Sequence, residues 1–392
     1  MFFDRFREVL SRLPAGLIRP GPPADQTAIA AAETRLGAEE KAGTKLKLPP
    51  AFAAFLRSFD GVDLFHEAVV VAGVGPAAAR RLHELRDPEA SDHAEMKNLL
   101  VFAEAVGGDR FAFDGDGRVL RLRAGSDERW RSGGDFERWL DGTIAHHRIL
   151  YGPDGEFSPD AFEPDGAEVV PVIALRQTER ALRACDDSAE WQHEQGVALR
   201  RLGRLAEAKD AFARAAALDP ENPWPRFDGG RVALELGPAT AREARLGFSE
   251  AARLEKGEAA ARFWVWAARA ALLGAEPDQV RVCRAAAVAA EPDVASSLRR
   301  ARDAAQDDED DPDALAEAEA LVAALEDDIP TGRARLPVLS GSGAAGDQKR
   351  AVSARPAESR TKSARRTQPP VPRRPRPATG RPRAGPRSGS RR

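Results

Sequence analysis

Residues 189–222 read AEWQHEQGVALRRLGRLAEAKDAFARAAALDPEN. Small residues at Gly196, Ala208 and Ala215 suit two helices that must approach closely, with Phe212 as the bulky filler between units and Pro220 as the stop. The same spacing returns downstream. Gly230, Ala233, Gly237, Ala244, Phe248 and Ala251 repeat it, shifted by a two-residue insertion near Pro238. Trp264, Ala268, Ala271, Ala287 and Pro292 repeat it again with fewer matches. A helical pair recurring every ~34 residues leaves an apolar face on each unit that only the next unit can cover, so the pattern predicts a stacked all-α solenoid.

These positions resemble the tetratricopeptide repeat. The resemblance places units at about 189–222, 223–258 and 259–293, within a helical domain spanning 169–328. Three units are about the minimum for a stable stack. Val172–Ala184 and Ala314–Leu325 are therefore expected as capping helices, the latter with Asp313 as its N-cap. Stacked repeats form a concave groove lined by the first helix of each pair. By position, His193, Val197, Arg200, Trp224, Phe227, Arg231, Val265 and Arg269 should face it. Arginines among aromatics suit an acidic or C-terminal peptide, because guanidinium pairs with carboxylate in a forked geometry.

Toward the N-terminus the pattern changes. Phe2, Phe6, Val9, Leu10 and Leu13 have helical spacing up to Pro14, and Pro20–Pro23 reads as a linker, so residues 1–23 form a docked helix and its tether. Residues 24–152 mix helix and strand. Asp25 is expected to cap a helix running through Ile29, Glu33 and Leu36 to a Gly37 C-cap. A second helix follows Pro49-Pro50 and buries Phe52, Phe55, Leu56 and Phe59. Strands are expected at Ala68–Ala72, Leu99–Phe102, Arg110–Phe113 and Val119–Leu122. The Asp114–Gly117 stretch has hairpin chemistry, and Phe136–His147 is a closing helix. The class is α+β.

The string Ile29, Glu33, Leu36-Gly37, Leu48-Pro49, Phe52, Phe55-Leu56, Asp60-Gly61, with Gly108–Asp114 and Phe136–Leu140 later, resembles the SUKH superfamily over roughly residues 25–150. Ala38–Lys47 makes a longer join than that family usually has. The resemblance implies a mixed sheet with helices and a binding fold: its members grip partner proteins, often toxins, or scaffold signalling proteins. None of the matched residues requires a catalytic role.

Residues 153–168 read as a linker and 329–392 as a disordered tail rich in Pro and Arg, with too little apolar content to offset ordering entropy. The chain's net charge of −3 conceals a dipole. From Thr331 onward, 17 Lys and Arg face two acids, a net +15 that leaves −18 on the remainder. Such a tail suits weak, sequence-independent contact with nucleic acid, and without aromatics base stacking is not expected. The acidic run Asp307–Asp311 is expected as a solvated linker, or as a segment folding back on the tail or on the groove arginines.

Several catalytic signals fail on inspection. Val69–Ala78 carries G-x-G-x-x-A after a strand, yet the expected strand and acid about 20 residues later are replaced by the polar Arg86–Glu95. Asp114–Arg118 lacks the rest of a calcium loop. His146 and His147 are adjacent, so their side chains diverge on a helix. Cys185 and Cys283 have no ligand spacing, and no HExxH, GxSxG or GxxxxGK[ST] string occurs. The reading is a cytoplasmic, non-enzymatic adaptor or immunity-type protein with protein partners, no cofactor, no metal and no membrane span. Its alternative is a nucleic-acid-associated protein recruited by the arginine tail.

Overall fold

The computed structural model describes residues 2–38, 47–86, 99–164, 168–306 and 312–326, all within one compact unit. Residues 39–46, most of Arg86–Glu95, the Asp307–Asp311 run and residues 329–392 lie outside the described residues.

The N-terminal half is an α+β domain built on a seven-stranded sheet whose strands follow chain order. They are β1 (Ile18–Pro20), β2 (Val62–Leu64), β3 (Val69–Val71), β4 (Leu100–Ala105), β5 (Arg110–Phe113), β6 (Val119–Leu122) and β7 (Arg129–Gly133). Every neighbouring pair is antiparallel. The mixed character implied by the SUKH resemblance is confined, among the described residues, to a single parallel bridge between Gly73 and Arg81. The β5–β6 hairpin closes as its turn chemistry requires, with the Asp114 carboxylate accepting from the Asp116 and Arg118 amides, each at 2.9 Å.

Among the described residues four α-helices complete this half: α1 (Phe2–Arg12), α2 (Gln26–Ala38), α3 (Pro50–Ser58) and α4 (Phe136–His147). Helix α1 is docked: Phe6 is fully buried, edge-on to Phe59 with ring centres 5.1 Å apart. Pro50 sits at the first turn of α3, where its missing N–H costs nothing. The Asp135 carboxylate caps α4 by accepting from the Arg138 amide at 2.9 Å. Helix α2 runs through Gly37 to Ala38, so Gly37 is an interior helix residue and not the C-cap that its sequence position suggested. Phe52, Phe55, Phe102, Phe113, Phe136 and Trp139 form one ring cluster between these helices and the sheet.

The second half is helical. After α5 (Pro171–Ala184) come three antiparallel pairs: α6 (Ala189–Arg201) with α7 (Leu205–Leu218), α8 (Trp224–Glu235) with α9 (Ala241–Leu254), and α10 (Gly257–Leu273) with α11 (Pro277–Ala290). Together they form a tetratricopeptide-like solenoid. The two-residue insertion becomes a short turn at Pro238–Thr240, entered through Gly237 at φ +111°. Then α12 (Val294–Gln306) and α13 (Pro312–Glu326) pack on each other and fold back onto α10. Asp313 lies inside the first turn of α13 rather than capping it.

The small residues work as their spacing implies. A Cβ added at Gly196 would stand 2.7–2.9 Å from the Phe212 ring, and one at Gly230 would stand 2.8–3.1 Å from the equivalent Phe248 ring. Gly196→Ala must therefore push a buried ring off its seat. We expect a loss of about 1–3 kcal/mol in urea unfolding, as for other overpacked cores. A neutral result would show that the helix pair has slack.

Residues expected to be a linker, 153–168, are folded where described. Tyr151 bridges to Phe157, Phe162 bridges to Val169, and Phe157 stacks on Phe162 at 4.8 Å.

Candidate interaction groove

The first helices of the three pairs, α6, α8 and α10, carry the positions singled out in the sequence. Neighbouring units are tied together there by two side-chain pairs, each 35 residues apart. His193 Nε2 lies 2.7 Å from Asp228 Oδ2, and Arg200 Nε donates to Glu235 Oε1 at 2.7 Å. Burial alone would raise the Asp228 pKa, but the hydrogen bond and charge of His193 outweigh it and hold the carboxyl below its ordinary value. His193 and Arg200 thus spend part of their polarity on clamping one unit to the next.

Phe227 and Val265 are buried. Phe227 is 6% exposed, stacked on Phe263 at 4.6 Å and packed against Phe248 and Trp266, while Val265 is fully buried. Each lies one turn before an arginine also expected in the groove, Arg231 or Arg269, and shares its helix face. Trp224 is partly exposed, its ring edge-on to Phe263 at 5.5 Å.

Arg231 and Arg269 do come together. Their guanidinium carbons lie 5.5 and 5.0 Å from the centre of the Trp266 ring, and both residues are under a tenth exposed. Burial and the neighbouring Arg231 charge both push the Arg269 pKa down, while Glu317 of α13 pulls it back up. Glu317 Oε2 lies 3.2 Å from Arg231 Nη2. Sequence reasoning found these arginines by repeat position. The acid that pairs with Arg231, 86 residues along in a different helix, carries no local signal.

A second cluster escaped sequence reading altogether. At the junction of sheet and repeats, Arg121 on β6 pairs with Asp109 at 2.8 Å, and its other branch contacts Glu190 at the start of α6. Ser132 on β7 donates to the second oxygen of Glu190. Burial alone would lower the Arg121 pKa, but Glu190, Glu194 and Asp109 together raise it above its usual value. The outer rim of β7 is also covered: Arg131 N–H donates to Asp219 Oδ2 at 3.1 Å, and Asn222 Nδ2 donates to the Arg129 carbonyl at 2.9 Å. Trp191 inserts beside α4, its ring plane 18° from that of His146. Burial lowers the pKa of both His146 and His147, the latter to about 3, so both rings are neutral at ordinary pH.

The glycine-rich string Val69–Ala78 has a partner of its own. The Asp60 carboxylate, 3% exposed, accepts from the Val74 amide at 2.6 Å and from the Gly75 amide at 2.9 Å. Amides that would cradle a phosphate in a dinucleotide site here hold an internal carboxylate. A Cβ at Gly73 or Gly75 would collide with it. Among the described residues no group of three or more His, Cys, Asp or Glu is arranged to hold a metal ion, and no helix is long and apolar enough to cross a membrane.

Compared with known proteins, the tetratricopeptide repeat family model matches residues 189–222. No SUKH family match accompanies it. No curated protein matches the chain. Among solved structures the chain is similar to a MamA RS-1 ArsTM double mutant, at 21% identity and a TM-score of 0.28, covering 40% of this chain and 84% of that one. The family match falls on α6, α7 and the turn that follows, where Gly196 meets Phe212: residues 189–222 are a tetratricopeptide repeat.

Proposed function

We propose that this protein is a non-enzymatic, cytoplasmic adaptor or immunity-type protein that holds other proteins through its repeat groove and its SUKH-like domain. The observation that carries the reading is on α8 and α10, where Arg231 and Arg269 gather over Trp266 and the partly exposed Trp224 opens α8 against Phe263. Arginine and tryptophan are the side chains most enriched in protein-binding hot spots. Arg231 pairs with Glu317, and the buried charges elsewhere also hold the fold: Asp60 by backbone amides, Glu190 by Arg121 and Ser132, Asp228 by His193. That is the economy of a scaffold.

A photo-reactive phenylalanine analogue at Trp224, with the same analogue at the outer-face residue Val288 as control, tests it in cells. Protein adducts from position 224 that are absent from position 288 are the expected result. Equal labelling from both, or no protein adduct from either, would remove the reading. The net +15 beyond residue 330 favours the alternative, contact with nucleic acid. Deleting residues 331–392 separates the two, because adducts at position 224 survive the deletion and nucleic-acid retention does not.

A further inference from the structure

The groove is not empty. Helix α13 carries four acids, Asp313, Glu317, Glu319 and Glu326, and no base. Its apolar side, Leu321, Val322 and Ala324, is buried in the same core as Phe227, Phe263 and Trp266. Arginines from four helices meet it. Arg231 of α8 pairs with Glu317, and Arg269 of α10 feels the same carboxylate. Arg284 of α11 donates to the Ala324 carbonyl at 2.8 Å, at the negative end of the helix dipole. Arg299 of α12 pairs with Glu326 at 2.7 Å.

Two guanidiniums buried against one indole repel each other and require a carboxylate nearby. Here α13 supplies it. The grip is narrow, since residues 313–320 remain partly or fully exposed and only three buried side chains follow. The chain enters α13 through five consecutive acids, Asp307–Asp311, in a body of net −18 that repels further negative charge.

We propose that α13 is a built-in occupant of the groove, exchanged for an acidic amphipathic helix of a protein partner. That helix places a glutamate between Arg231 and Arg269, with apolar residues four and five positions later, as Leu321 and Val322 follow Glu317. The proposal rests on the protein-binding reading above and names the chemistry of the partner.

The probe is a fluorescent peptide of residues 312–326, titrated into the full chain. Leu321→Asp undocks the resident helix, and this variant should bind the peptide at least tenfold more tightly than the unaltered chain. Glu317→Arg, a milder change on a partly exposed side chain, should move binding the same way if Leu321→Asp unfolds. Adding Arg231→Glu should abolish the gain, and a peptide carrying Glu317→Arg should restore it. Equal binding by the unaltered chain and both variants, or none by any, makes α13 a permanent cap and overturns the proposal while leaving the cross-linking result at Trp224 untouched. Concentration-dependent dimers of the unaltered chain that the peptide dissolves would overturn it too, because the occupant would then be a second copy.

Discussion

Replacing Arg121 by Met should cost about 3 kcal/mol of stability near neutral pH, the low end of the range for breaking a buried ion pair. The side chain of Glu190 is 4% exposed and would keep the Ser132 hydroxyl as its hydrogen-bond donor in that variant, while Asp109 would still hold the Ala124 amide and face Arg123. The pH dependence gives the sharper test. In the native chain burial pushes the Glu190 pKa up, but Arg121 and the Ser132 hydrogen bond outweigh it, so the folded value lies below the ordinary 4.5. A carboxyl lowered on folding contributes stability that is present above its unfolded pKa and lost as acid protonates it in the folded state. With Arg121 gone, burial is the dominant influence, the folded pKa rises above the unfolded one, and protonation becomes favourable to the fold. The deficit of Arg121→Met against the native chain should therefore shrink between about pH 6 and pH 4. Urea unfolding across that interval measures it. Adding Glu190→Gln should recover much of the loss, since the stranded charge is removed. A deficit independent of pH would show that Arg121 acts through packing alone.

Phe52→Ala should be at least as damaging, at about 3–5 kcal/mol. Phe52 is fully buried, with ring centres of Phe136, Phe113, Phe102 and Phe55 at 5.1, 5.4, 5.5 and 6.2 Å. Those neighbours come from α3, α4, β4 and β5, so the hole would sit where all four elements meet and none can collapse without moving the others. Denaturant titration followed by circular dichroism reads the shift. A loss under about 1 kcal/mol would mean that the cluster repacks freely.

How legible was all this beforehand? Elements with an internal period were read well. Helix α4 has the bounds its apolar face predicted, and β5 and β6 likewise, because alternation and an Asp-Gly turn are local signals. The repeats announced themselves through Gly196 and Phe212, a contact written as a spacing. Strands β1, β2 and β7 went unread for a physical reason. Two are three residues long, one of them ending at Pro20, and β7 is the polar string RWRSG. They are strands because their neighbours offer unpaired backbone, not because of their own propensity. Gly37 misled for the converse reason: a glycine suited to end a helix was carried through by the helix around it. Of the groove, Arg231 and Arg269 were found by repeat register, and Phe227 and Val265, one turn earlier on the same helix faces, lie buried. The Arg121–Glu190 junction joins residues 69 apart across two folds, and no periodicity encodes such a meeting.

The hydrogen bonds from Arg131 to Asp219 and from Asn222 to Arg129 bear on anyone who would divide this molecule for crystallisation or expression. A fragment cut anywhere in 153–168 would lift the first repeat off β7, leaving a raw strand with unanswered amides and a socket where the Trp191 indole had been. Strands bared in this way zip onto one another, and the excised sheet should come out of solution as oligomers. A cleaner incision lies after residue 326, where α13 has ended and the whole β7 seam stays shut.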